Sequence, residues 1–579
     1  MKTKFHVPLL PATIAAAVVL AAVNSQAKVI TATSCAFSDV SNAVAQASVG
    51  DVVQLPAGTS SWTETLNLTN GVSLIGSGTN STIIIDEENR SVSPQLINVY
   101  PAAGHFQEIA NMQFQGGVIN TGPNYTGVLA VFGIPGASWR IDHNVFNGLY
   151  GKNICTYGDS ASVVDHNTFY ERYISVCCYG YIPHDTEGDI SWSTPATYGL
   201  ASSNCLYVEN NYFTNTTTWL GSVGATDGDG GGRIVFRYNT VMNDCFNNHG
   251  TESGGRVRSE RSFEIYDNSF TCPPSNTAMY PIFAACMIRG GSGVIFSNIV
   301  NGYSELAAIR NLRYTCPYYG EWYPLGGANG LSPFDSNDPT AYLSGINSSA
   351  NSSSVLQVNG ANWTPNQWTG YTVINTNTGN FSQILSNTVN TVYYIGSDSA
   401  SASIVTCGLL TFNNGDGFQI RHVYAALDQA GRGSGDLLQD QTVQTDVSAI
   451  LSTYPYFAAF PWLINQFLGT SGILVTIDTS TGKPSWPNEA LDGIYAWGNT
   501  LGGTDATLSS WYPEIQVGRD LINDTPKPGY APYTYPHPLT FSTYVGSGGG
   551  TTNSPPNTNN PASTNLVAPP GFHIIPKTK

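Results

Sequence analysis

Seven segments of the chain repeat one pattern around an asparagine, and this pattern constrains the fold more than any other feature. They are "WRIDHNVF", "SVVDHNTF", "LYVENNYF", "IVFRYNTV", "FEIYDNSF", "GVIFSNIV" and "IYAWGNTL", centred on Asn144, Asn167, Asn211, Asn239, Asn268, Asn298 and Asn499. Three residues earlier stand Ile141, Val164, Val208, Phe236, Ile265, Ile295 and Ala496; two residues later stand Phe146, Phe169, Phe213, Val241, Phe270, Val300 and Leu501. All fourteen are apolar. An odd separation of five would put the two columns on opposite faces of a straight strand, so a turn at the asparagine must bring both inward. Short strands broken by such turns, with first spacings of 23, 44, 28, 29 and 30 residues, describe the coils of a parallel β-solenoid. The asparagines would stack inside the turn, each amide bonding the next coil. The 44-residue step hides either a further coil or a long loop.

The N-terminal region fits the same architecture. "SDVSNAVAQASVGDVVQLPAGTSSW" reads as a short amphipathic helix, a turn at Gly50-Asp51 and a strand at 52–55, and "VSLIGSGTNSTIIID" adds another turn and strand. On the repeats and "GDVVQLPAG", the sequence resembles the pectin-lyase-like right-handed parallel β-helix superfamily, over roughly residues 36–312 and again over 422–538. The resemblance implies an all-β solenoid whose open N-terminal end is plugged by a capping helix. The superfamily holds lyases, hydrolases, isomerases and binding proteins, so fold does not fix activity.

Lys2 and Lys4 precede a mostly apolar run over 7–23 and small residues at 25–27, the pattern of a secretory signal. Residues 1–27 are therefore expected to be removed and the protein to be secreted or held at the cell surface. The β-helix is expected over 28–335 and 421–545. Between these parts, residues 340–420 alternate Thr, Val, Tyr and Ile with Asn-Gly-type turns, as in an inserted antiparallel β module. Residues 546–579 read as a flexible linker and short tail. No other apolar run is long enough to span a bilayer. Ten cysteines in an exported chain predict a few disulfides, without fixing their pairing.

The net charge of −17 argues against nucleic acid as a partner. An extracellular polysaccharide is the expected partner and a monomer the expected state. An acidic glycan would need a local cationic patch or a bound metal to offset the overall field.

The position two before each asparagine should face outward; it reads Asp142, Asp165, Glu209, Arg237, Tyr266, Phe296 and Trp497. Stacked carboxylates repel unless compensated. The β-helix pectate lyases that this sequence resembles use stacked acids for calcium, which makes Asp142, Asp165 and Glu209 candidate calcium ligands. Relief by Arg140, His143 or His166 is the alternative.

In a chain only 11% charged, "NNHGTESGGRVRSERSFEIYDNSF" gathers Glu252, Arg256, Arg258, Glu260, Arg261 and Glu264. Counting back from Asn239 and Asn268 places Asp227 beside Arg256 and Asp229 beside Arg258, with His249, Arg233 and Arg261 near. The patch is either an ion-pair ladder or a groove in which Arg233, Arg237, Arg256, Glu264 and Tyr266 bind substrate. β-Elimination from a uronic-acid glycan needs a cation on the carboxylate, a base for the acidified proton and a donor for the leaving oxygen. Arg258 or Arg261, with calcium, can supply the cation; His249 can supply the base, and the resemblance makes Arg258 an equal candidate. Hydrolysis needs two carboxyl groups, for which Asp227, Asp229, Asp244 and Glu252 are candidates. "NHG" at 248–250 is a partial match to polygalacturonase elements, without the Asp-Asp pair. The expected activity is that of a polysaccharide lyase, with a polygalacturonase-like hydrolase or a non-catalytic glycan-binding adhesin as alternatives.

Overall fold

The protein was analysed as a computed structural model. It describes residues 27–542 except for short breaks and the stretches 119–126, 180–199, 216–223, 251–258, 274–282, 311–342, 395–409, 422–429, 432–475, 478–483 and 486–492.

A parallel β-helix forms. The strands ending two residues before each asparagine, among them Ser138–Asp142, Ala161–Asp165, Leu206–Glu209, Arg233–Arg237 and Ser262–Tyr266, lie in a twelve-stranded sheet. Those beginning just after it lie in an eleven-stranded sheet. A six-stranded sheet from Leu66–Leu68 to Gly224–Asp229 forms the third face, and a four-stranded sheet beginning at Phe246–Asn247 follows it. Register pairs Ile141 with Val164, Val164 with Val208, Val208 with Phe236 and Phe236 with Ile265, all buried. The second column stacks Phe146 on Phe169 at 4.8 Å and Phe169 on Phe213 at 4.9 Å. Each coil thus adds a layer of side chains to one continuous core.

The asparagine ladder accounts for the turn between the first two faces. Asn239 donates from Nδ2 to Val208 O at 2.8 Å and to Asn268 Oδ1 at 3.1 Å, and its backbone N–H donates to that same oxygen at 2.9 Å. The bonds repeat from Asn144 to Asn499, Asn211 included, so no further coil stands between Asn167 and Asn211. The residue before each asparagine takes a left-handed backbone, as at His143 (φ 50°) and Tyr238 (φ 54°). Such a conformation is disfavoured for a tyrosine, and the amide ladder holds it there.

The helix Phe37–Ala45 buries Val40 and Ala43, and Phe37 meets Trp62 edge-on at 5.6 Å. At the other end, Val294 pairs directly with Tyr495, so one coil, drawn out by an insertion, spans about 200 residues. Part of the insertion is a six-stranded antiparallel sheet with its own core of Leu356, Val373, Ile384, Val392 and Phe418. The cysteines depart from expectation. Among the described residues Cys35, Cys155, Cys177, Cys178, Cys205 and Cys286 are buried free thiols, packed as small apolar side chains, and Cys245 and Cys272 are buried as well. Cys316 and Cys407 lie outside the described residues. No helix among the described residues is long and apolar enough to cross a membrane.

Candidate functional site

The charged stretch divides between two faces. Asp227 lies in the strand Gly224–Asp229 of the six-stranded sheet, fully buried. His249 is brought to it by backbone bonds: its N–H donates to Gly228 O at 2.8 Å, and its carbonyl accepts from Glu260 N at 3.3 Å. Asn248, beside it, donates to Glu260 Oε2 at 2.7 Å and to Gly290 O at 3.1 Å. His249 Nδ1 then forms a very short contact with Asp227 Oδ1. A carboxylate on Nδ1 fixes the tautomer and orientation of the imidazole and leaves Nε2 as the nitrogen suited to proton transfer.

Lys152 and Tyr179 complete the cluster. Lys152 Nζ lies 3.5 Å from Asp227 Oδ2, and it touches Tyr179 Oη. Burial works against the ammonium, but Cys177, Asp227, Cys155 and Asp229 outweigh it and hold the pKa above the ordinary lysine value. Lys152 therefore stays a cation. Glu260 behaves oppositely: burial pushes its pKa well up, with Asp227 and Asp229 adding to the shift and Asn248 opposing it. Burial thus favours its protonated form.

A file of rings leads to this cluster. Tyr100 stacks on Phe132 at 5.1 Å, Phe132 on Tyr157 at 5.3 Å, and Tyr157 meets Tyr179 at 5.2 Å. Tyr100 is 37% exposed and Tyr179 only 3%, so the file runs from open surface to the buried charges. Because the rings stack face to face on one another, the row offers their edges rather than their faces to a partner.

Of the residues singled out in the sequence, Asp227 and His249 meet here. Arg261 is buried nearby, its N–H on Gly232 O, and Arg233 lines a small cavity with Trp139 and Tyr157. Arg256, Arg258 and Glu252 lie outside the described residues. Asp229 meets Ser259 in an isolated antiparallel bridge, next to the residue that the repeat count had placed there. Asp244 is buried away from solvent, accepting from Cys245 N. Lys152 and Tyr179 were not anticipated. Their strands, Lys152–Tyr157 and Ile174–Tyr179, carry no asparagine motif; the register pairs Lys152 with Ile174 and Tyr179 with Tyr157, so the two groups meet only because their long side chains reach towards each other along the sheet.

Arg237, Glu264 and Tyr266 are not arranged as a substrate groove. They sit on the twelve-stranded sheet beneath the segment 530–541, which covers that face. Arg237 donates to Glu209 Oε2 at 2.7 Å, Tyr266 Oη at 2.8 Å, Tyr533 O at 2.8 Å and Thr534 O at 2.9 Å. His537 N donates to Glu209 Oε1 at 2.8 Å, and Tyr530 Oη to Glu264. These groups bind the chain's own C-terminal part.

Asp142, Asp165 and Glu209 do stack in register, but a calcium ion does not fit among them. Arg140 takes both oxygens of Asp165, from Nε at 2.8 Å and Nη2 at 2.7 Å, and Glu209 is taken by Arg237 and His537. Guanidinium groups stand where a cation would, which is the Arg140 alternative read from the sequence. Among the described residues no set of three or more His, Cys, Asp or Glu side chains is poised for a metal.

No family model matches the sequence, and no curated protein matches it. Among solved structures, an alginate lyase from Paenibacillus sp. str. FPU-7 is similar at 13% identity and a TM-score of 0.25, over 47% of this chain and 94% of its own. A family 28 exopolygalacturonase from Yersinia enterocolitica is similar at 13% identity and a TM-score of 0.19, over 48% of this chain and 73% of its own. ORF18 of Geobacillus virus E2 is similar at 14% identity and a TM-score of 0.19, over 78% and 83%. Similarities this remote assign no activity.

Proposed function

We propose that this is an exported, monomeric β-helix enzyme that cleaves a uronic-acid-containing polysaccharide by β-elimination. The observation that carries the reading is the connected Lys152–Tyr179–Asp227–His249 cluster at the end of the ring file. Sugar units lie along the ring edges of Tyr100, Phe132 and Tyr157. The Lys152 ammonium faces the uronate carboxylate and stabilises the charge that develops when C5 loses its proton. Nε2 of His249, aligned by Asp227, removes that proton. The electron pair forms the C4–C5 double bond as the C4–O bond breaks, and the Tyr179 hydroxyl protonates the departing oxygen. The Lys152 ammonium, against Tyr179 Oη, holds the phenolate until solvent returns its proton, and His249 releases the proton it took to solvent. No step requires a metal.

The test is a panel of uronic-acid glycans, followed by the ultraviolet absorbance of unsaturated products. Wild type should generate that absorbance, and His249→Ala and Tyr179→Phe should each lose about 10²–10⁴-fold in kcat without a change in Tm. New reducing ends without the absorbance would replace elimination by hydrolysis. Binding without either signal would make the protein a glycan-binding adhesin.

A further inference from the structure

The long faces of the solenoid differ in charge. The outward side of the twelve-stranded sheet carries Asp142, Asp165, Glu209 and Arg237, partly covered by the segment 530–541. The six-stranded sheet carries Lys152, Asp227 and Asp229. The eleven-stranded sheet is unlike both. In its six strands that follow Asn144 to Asn298, the residues one and three places after the asparagine point outward, because the residue between them stacks in the core. The first column runs from Val145 and Thr168 to Ile299, and the second from Asn147 and Tyr170 to Asn301. Two positions on each of six strands make twelve residues, and none is Asp, Glu, Lys, Arg or His. None of the twelve is buried; Met242 is 37% exposed and Ile299 55%. The two preceding strands extend the columns with Gln113 and Gln115, then Ile83 and Ile85.

We infer that this face binds a neutral, extended, β-1,4-linked polysaccharide laid along the solenoid axis. In a chain of net charge −17, the face offers neither a cation to hold a uronate or sulfate nor an anion to hold an amine. Seven of the twelve residues are Thr, Ser or Asn, whose hydroxyl and amide groups both donate to and accept from sugar hydroxyls. Val145, Met242, Ile299 and the rings of Tyr170 and Tyr212 supply apolar surface for the C–H groups of the sugars. The spacing fits as well. Coils repeat about every 4.8 Å, close to the length of one sugar in an extended β-1,4 chain, so successive sugars meet successive coils alike. Individually weak contacts then add along one chain. A second copy of this protein fits less well. Interface cores draw on aromatic residues, Met and Arg and are poor in Ser, and two copies would bring together bodies of the same strong charge.

The experiment is calorimetric titration of the intact protein with the β-1,4-linked hexaoses of glucose, xylose and mannose, and with the α-1,4-linked glucose hexaose as a coiled counterpart. At least one β-1,4 hexaose should bind, and the α-1,4 hexaose should not. Thr240 and Tyr212 are register partners at the middle of the face. Thr240→Glu places an unpaired charge under the sugar and Tyr212→Ala removes a ring; each should weaken binding on the order of tenfold or more. Thr240→Gln, equal in size to the glutamate but neutral, should weaken it far less. Both positions face outward, so Tm should stay at the wild-type value, and turnover at the charged cluster should be unchanged. Binding of none of the β-1,4 hexaoses, equal binding of the α-1,4 hexaose, or affinity that survives both Thr240→Glu and Tyr212→Ala would each overturn the inference. So would a dimer in sedimentation that Thr240→Glu dissociates, which would make the face a contact between copies. None of these outcomes bears on the lyase reading, whose variants lie on another sheet.

Discussion

Glu108 and Asp165 flank Arg140 from neighbouring coils and titrate in opposite directions. Burial, and then the Asp142 charge, pushes Glu108 up to about 8. Burial also opposes the charge of Asp165, but hydrogen bonds from Arg140 and His166 outweigh it and hold its pKa below the ordinary value. The consequences for stability follow from linkage. Glu108 binds its proton more tightly when folded, so its contribution is complete below the unfolded glutamate pKa of about 4.3 and is lost as pH rises through about 8. Asp165 contributes above the unfolded aspartate pKa, and its contribution is lost as pH falls through the depressed folded value. Melting curves of wild type and Glu108→Gln from mildly acidic to mildly alkaline pH should show the alkaline decline reduced in the variant. A slope that survives the substitution would place its origin elsewhere. Asp165→Asn should instead flatten part of the acid decline.

At the scale of the element, the asparagine turn and the C-terminal strap stabilise the same sheet in different ways. Asn268 bridges two coils: it donates to Phe236 O at 2.9 Å and to Asn298 Oδ1 at 3.0 Å, and accepts from Asn239 N at 2.9 Å. Asn268→Ala strands buried backbone groups and should cost about 1–3 kcal/mol, read as a lower denaturation midpoint. Arg237 holds the strap. Arg237→Ala would leave Glu209 buried without its counter-ion, which should cost about 3–5 kcal/mol, and it would release Tyr533 and Thr534. Limited proteolysis should then cut between residues 527 and 541 in the variant before it does in wild type. Equal cleavage rates would mean that the ring contacts of Tyr530, Tyr533 and Tyr535 hold the strap without the arginine.

For the whole molecule, cohesion comes from stacked apolar layers, backed by arginine–carboxylate pairs on the outer face. Calcium does not fit the stacked carboxylates, and the described thiols are buried. A chelator should therefore leave Tm unchanged, and the eight described thiols should react with a thiol reagent only after unfolding, because burial removes them from contact. A chelator-induced drop in Tm would reinstate a structural metal.

The sequence determined the solenoid, because a coil that repeats in space must repeat its inward residues in the chain. Asn144, Ile141 and Phe146, with their counterparts in later coils, announce turn, strand and core together. It also determined the outward column from Asp142 to Trp497, since a strand alternates its faces. The Asp227–His249 meeting was partly legible through the same register. What covers the outward column was not: the strap reaches Arg237 from 296 residues further along the chain, and no local pattern encodes that return. The Lys152–Tyr179 contact and the grouping of Glu108 and Asp142 around Arg140 were decided by tertiary structure as well. They join single side chains across coils of irregular length, and only the stacking of those coils settles which charges become neighbours and which are buried.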